Sequence, residues 1–184
     1  NVGENAAQAS PDGTRFFLSA NDSQSQVRDF NMNLVGTLPA DSAEHGTITN
    51  TNQGAAFVAV QFDQREGIWS FPFAGGAKLV YGPGNGWPYP PSDTHVSGIA
   101  YRKPGWIVVS HVGNLPLGRT TLANEVVLAN VDSGKVCRVA HHRSAADNGP
   151  LGYFAEPHPV LSPSGTRIAF TSDWGGQGRA ETYV

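Results

Sequence analysis

The chain has 184 residues, 39% of them hydrophobic and only 15% charged, below the roughly 25% charged of an average globular protein. A net charge of −3 gives no basic field for nucleic acid, one cysteine allows neither an internal disulfide nor a cysteine-based zinc cage, and the longest apolar run, residues 55–60, falls far short of the roughly 20 residues of a membrane helix. Asn1 in place of an initiator Met reads as the start of a processed chain or of a fragment.

From the N-terminus onward, short runs rich in Val, Ile, Phe and Tyr are bounded by Gly, Pro, Asn and Asp, the pattern of strands and tight turns. Residues 16–18 follow the turn Pro11-Asp12-Gly13. Residues 55–62, 68–73 and 78–81 come next, the last two separated by Gly75-Gly76. Residues 106–110 and 126–131 lead into the turn Asp132-Ser133-Gly134 and the run 136–139. Residues 159–161, the turn Pro163-Ser164-Gly165, and residues 168–171 and 182–184 complete the series. No stretch holds apolar residues at helical spacing for three turns, so the expectation is all-β. Cys137, in an outer strand, reads as a small hydrophobe.

One turn motif returns. Ser10-Pro-Asp-Gly-Thr-Arg15 matches Ser162-Pro-Ser-Gly-Thr-Arg167 at an offset of 152 residues. Gly54 and Gly105 occupy the same place in weaker copies, so that Gly13, Gly54, Gly105 and Gly165 are spaced by 41, 51 and 60 residues. A four-stranded unit recurring at such intervals is a propeller blade. The reading is therefore one β-propeller domain over residues 1–184, with four blade-like antiparallel repeats near 5–40, 45–82, 94–140 and 157–184. The fourth repeat shows no fourth strand. Its edge is expected to be covered by another segment of a longer polypeptide or by a neighbouring subunit, which repeated end to end would build a filament.

Propeller topology puts the approach to each first strand, the second-to-third loops and the crossovers at one end of the molecule. His45, His95 and His158 lie 9, 10 and 7 residues before Gly54, Gly105 and Gly165, in equivalent positions beside the axis. Converging imidazoles suit a divalent ion such as Zn or Mn, with Ca a further candidate. His111 ends a second strand, and His141 and His142 lie in a crossover. Arg65, Arg119, Arg143 and Arg179 share that end with Trp87, Tyr89, Tyr153, Phe154 and Trp174. Guanidinium forks fit carboxylates and flat rings fit sugars, so an acidic saccharide is a candidate ligand, while the favoured role of the aromatics is to plug gaps between blades.

Ser10-Pro-Asp-Gly-Thr-Arg15 and residues 162–172 resemble TolB-type propeller repeats. The stretch from Thr94-His95-Val-Ser97 through His141-His-Arg-Ser144 and Ala155-Glu-Pro-His158 to Val184 is similar to the C-terminal blades of secreted bacterial TolB-like propellers, some related to the oligogalacturonate lyase family. The resemblance implies about seven blades in all and an extracellular or periplasmic setting. The lyase family carries a denser His/Gln cluster before the turn equivalent to Ser162–Gly165, where this chain has His158 with Glu156 beside it. Two functions follow: a non-catalytic binding or assembly module, or a metal-assisted lyase on uronates with His95 or His142 as base. No G-x-S-x-G occurs, so the hydrolase motif that accompanies some propellers is missing.

Overall fold

The computed structural model describes residues 7–18, 25–38, 45–61, 65–88, 94–112, 121–146 and 149–184. Their strands form four antiparallel sheets in chain order. β1 (Ala7–Ala9), β2 (Arg15–Leu18), β3 (Ser25–Asp29) and β4 (Leu34–Leu38) make the first. β5 (Gly46–Thr51), β6 (Gly54–Gln61), β7 (Gly67–Pro72) and β8 (Lys78–Tyr81) make the second. The third holds β9 (His95–Ser97), β10 (Trp106–His111), β11 (Glu125–Asn130) and β12 (Val136–His141). The fourth has three strands, β13 (Val160–Leu161), β14 (Ile168–Ser172) and β15 (Glu181–Tyr183). Each sheet is a simple meander, the form of a propeller blade.

The repeated motif works the same way at both ends of the chain. The Ser10 carbonyl accepts from Gly13 N–H at 2.8 Å, and Ser10 N–H donates to Arg15 O at 2.8 Å. Ser162 repeats both bonds with Gly165 and Arg167, at 2.8 and 2.9 Å. The serine hydroxyl also accepts from the arginine N–H, at 2.9 Å in the first copy and 3.2 Å in the second. Gly13 and Gly165 have φ of 70° and 67°, the left-handed conformation that closes the turn and that a side chain disfavours. The serine and glycine of the motif are thus required by turn geometry.

Apolar side chains collect where blades meet. Phe17 and Val27 of the first blade pack on Ile48, Phe57 and Phe71 of the second, with the Phe17 and Phe57 rings stacked at 4.0 Å. Val58, Val60, Ile68, Val80 and Tyr81 of the second blade meet Ile107, Val109, Val127 and Ala129 of the third. The boundary between third and fourth blades is thinner, with Ala100, Val108, Val126 and Leu161 fully buried and Ile168 and Phe170 half covered.

Two features set the geometry of the inner and outer strands. A Cβ on Gly46 would lie 2.3 Å from Phe57 Cζ, and one on Gly98 would lie 2.7 Å from Thr49 Cβ. The missing side chain of Gly46 leaves room for the Phe57 ring of β6, and that of Gly98 lets the chain after β9 approach β5, where Gly98 N–H donates to Thr47 Oγ1 at 3.2 Å. At the rim, β4, β8 and β12 each pair with their third strand through a one-residue bulge, at which Val35, Val80 and Val139 are left without a cross-strand partner.

Candidate metal centre

His45 immediately precedes β5, His95 opens β9, and His158 lies two residues before β13. The close approach of β5 and β9 therefore brings the first two together, and the start of the fourth blade adds the third. The His45 and His95 rings stack at 4.9 Å, and the His95 and His158 rings stack at 3.9 Å. His45 and His158 both have positive φ, 35° and 40°, a conformation uncommon outside glycine that turns the chain sharply just before each first strand.

Backbone carbonyls fix two of the rings. His45 Nδ1–H donates to Thr94 O at 2.8 Å, and His158 Nδ1–H donates to Glu156 O at 2.9 Å. A carbonyl only accepts, so each ring carries a proton on Nδ1, which leaves Nε2 as the atom that can reach an ion. His95 Nε2 is in short contact with Glu156 Oε2. Burial pushes the His95 pKa down, against the opposing pull of the Glu156 carboxylate, and the neighbouring His158 and His45 push it further down. One ligand atom from each of His95, Glu156 and His158 falls within 4.8 Å of the others. Glu156 itself is 3% exposed. Two imidazole nitrogens and a buried carboxylate, with His45 stacked alongside, form a donor set that suits a divalent ion.

Beneath the centre lies a second polar layer. Thr94, whose carbonyl holds His45, places its hydroxyl 3.1 Å from His111 Nδ1, and Tyr81 Oη lies 2.7 Å from His111 Nε2. His142 Nε2–H donates to the His111 carbonyl at 3.0 Å, while its Nδ1 accepts from Ser144 N–H at 3.0 Å. Burial holds His111 at a pKa of about 3 and His142 at about 4. Both nitrogens of His142 are engaged within the protein and its side chain is fully buried, so it has no path to a ligand's proton. His141 is on the exposed surface, with Nε2 3.9 Å from the Glu125 carboxylate that Arg138 grips.

The other expected ligand contacts are spread over their own blades. The Arg65 guanidinium lies 5.7 Å from the Phe71 ring centre, and its carbonyl accepts from Trp69 Nε1–H at 2.6 Å. Arg143 covers Trp174 at 5.4 Å, and Arg179 pairs with Glu181 at 2.9 Å. Trp87 packs against the core between second and third blades, edge-on to Tyr81. Arg119 and Tyr89 lie outside the described residues. Tyr153 and Phe154, by contrast, border the centre. Tyr153 meets His158 edge-on at 5.0 Å, and Phe154, 80% exposed, meets Tyr153 edge-on at 6.0 Å. The carboxylate of Glu156 is the residue whose part the sequence leaves unread. A clue was its place two residues before His158.

No family model and no curated protein matches the sequence. Solved structures do match. One described as TolB from Agrobacterium tumefaciens superposes with a TM-score of 0.60 at 15% identity, over 97% of this chain and 56% of that one. The chain has a β-propeller fold. An oligogalacturonate lyase in complex with manganese matches with a TM-score of 0.52 at 16% identity, over 92% of this chain and 44% of that one. The oligogalacturonate lyase of Vibrio parahaemolyticus matches with a TM-score of 0.54 at 15% identity, over 92% and 45%. The chain thus spans about half the length of these propellers. Among the described residues no helix is long and apolar enough to cross a membrane.

Proposed function

We propose that this chain is a binding module of an extracellular or periplasmic propeller, which holds a divalent ion on His95, Glu156 and His158, flanked by His45, and presents it to an acidic saccharide. The observation that carries the reading is the convergence of these groups from three blades, with backbone carbonyls orienting two of the rings. Nitrogen-rich donors favour Zn or Mn over Ca, which takes six to eight oxygens. A bound divalent ion supplies a positive charge to which a sugar carboxylate can anchor. The Tyr153 and Phe154 rings offer an apolar face at the mouth on which a pyranose could rest.

A second reading, elimination from a uronate, is favoured by the manganese-bound lyase among the structural neighbours. It needs a base at the ligand, and His95 is the remaining candidate once His142 is enclosed. Titration with Mn(II), followed by electron paramagnetic resonance, tests the centre. One ion per chain is expected, displaced by Zn(II). His95→Ala and His158→Ala should each weaken uptake by more than the roughly 10–100-fold that loss of an orienting neighbour costs. Absence of uptake by the parent chain refutes the centre. An unsaturated product absorbing in the ultraviolet from polygalacturonate would replace the binding reading with the lyase.

A further inference from the structure

Glu156 brings the carboxylate to the metal centre, and the backbone around it is fixed by four hydrogen bonds. Glu156 N–H donates to Tyr153 O at 3.0 Å, and its carbonyl accepts from His158 Nδ1–H at 2.9 Å. The carbonyl of Pro157, just after it, accepts from Thr171 N–H of β14 at 2.7 Å. The carbonyl of Ala155, just before it, accepts from the Ser144 hydroxyl in a short contact. Ser144 lies in the crossover from the third blade to the fourth. Among these partners it is the one side chain that comes from outside residues 153–158.

The crossover is strained where it makes this bond. Ser144 and Asp173 are both fully buried. Ala145 N–H donates to Asp173 Oδ1 at 2.7 Å, Ala146 N–H donates to Ser144 Oγ at 3.3 Å, and Ser144 Oγ lies 3.4 Å from Asp173 Oδ1. Asp173 Oδ2 is buried with no hydrogen-bond partner, a defect that folded proteins rarely carry. Arg143, Ala146 and Trp174, the residues around this pair, have φ of 55°, 42° and 49°. Left-handed backbone at non-glycine residues persists only where the surroundings impose it, and it gathers at functional sites. A hydroxyl that merely filled a blade boundary would need neither these angles nor the unmatched carboxylate.

We propose that Ser144, braced by Asp173, is a positioning residue of the metal centre: by holding the Ala155 carbonyl it sets where the Glu156 carboxylate stands against His95 and His158. The role rests on the ion-binding reading above, in which these three residues hold a divalent ion. Release of the Ala155 carbonyl would let the peptide plane before Glu156 rotate and carry the carboxylate away from His95, which reaches it from β9 across a blade boundary. Groups that orient a ligand are felt in metal affinity nearly as the ligands are. The coupling is reciprocal, so an ion on Glu156 should in turn steady the crossover at Ala145 and Ala146.

Mn(II) titration of the full chain, read by electron paramagnetic resonance, tests the role. Ser144→Ala should weaken affinity about tenfold and alter the spectrum of the bound ion. Ser144→Cys, close in size but a poor donor, should weaken it by a smaller factor. Val108→Ala serves as the control, because its side chain belongs to the apolar cluster between the third and fourth blades and to no bond of the centre. It should lower the thermal midpoint and keep the parent's affinity. Mn(II) should also slow amide exchange at residues 145 and 146 in the parent and not in Ser144→Ala. Parental affinity in either Ser144 variant overturns the proposal, as does an equal loss in Val108→Ala, which would trace the effect to a loosened boundary. A parent chain that takes up no Mn(II) overturns the centre and this role with it, whereas a parent that binds beside an unaffected Ser144→Ala overturns the role alone.

Discussion

Thr94 joins two layers through one residue, its carbonyl orienting His45 and its hydroxyl meeting His111. The layer beneath has a consequence for stability. His111 and His142 have folded pKa values of about 3 and about 4 against an ordinary value of 6.5, so between these limits the unfolded chain binds more protons than the folded one. Their contribution is complete above pH 6.5 and is lost as pH falls toward the folded values. By pH 5 each should have removed about 2 kcal/mol. Urea unfolding at pH 7.5 and pH 5 measures the loss, and His111→Gln should reduce it by about half. A stability that is constant over this range would contradict the buried, neutral assignment. The three histidines of the centre were legible because they recur at one place in successive repeats. Glu156 was not, since its part depends on His95, 61 residues earlier in sequence, meeting it across a blade boundary.

Turns and outer runs were legible at the level of elements, and inner strands were largely not. The recurring serine and glycine encode a turn whose hydrogen bonds repeat nearly unchanged. β1 and β5, by contrast, are short or rich in Thr, Gln and Asn, so they lack the apolar alternation that marks a strand. Neighbouring strands and the axis define them instead, and Thr47 and Thr49 are buried there. Two glycines separate backbone cost from crowding. Gly13→Ala meets open space and should lose about 1 kcal/mol for its positive φ alone. Gly105→Ala should lose more, because its Cβ would lie 2.5 Å from Asp132 Oδ2, the carboxylate that accepts from Asn52 N–H across the blade boundary. Chemical denaturation of the two variants gives the order, and equal losses would mean that Asp132 yields freely.

Among the described residues, cohesion is greatest where the second and third blades meet and least where the third and fourth meet. The boundary between second and third blades buries large aliphatic and aromatic side chains, whereas that between third and fourth relies on Leu161 and a few smaller groups. The fourth blade should therefore open first. Amide exchange is expected to be faster in β14 and β15 than in β10 and β11, with Leu161→Ala accelerating only the former and Ile107→Ala, by leaving a cavity, costing roughly 2–5 kcal/mol globally. Uniform protection across all four sheets would show that the blades open as one unit. The bulges at Val35, Val80 and Val139 bear on how such molecules behave at high concentration. A bulge bends its strand and tightens its twist, so the outermost backbone of each complete blade runs crookedly along the circumference. Two copies colliding side by side there cannot zip into a straight, continuous ladder, which protects these blades from the edge-to-edge growth that leads to insoluble β-aggregates.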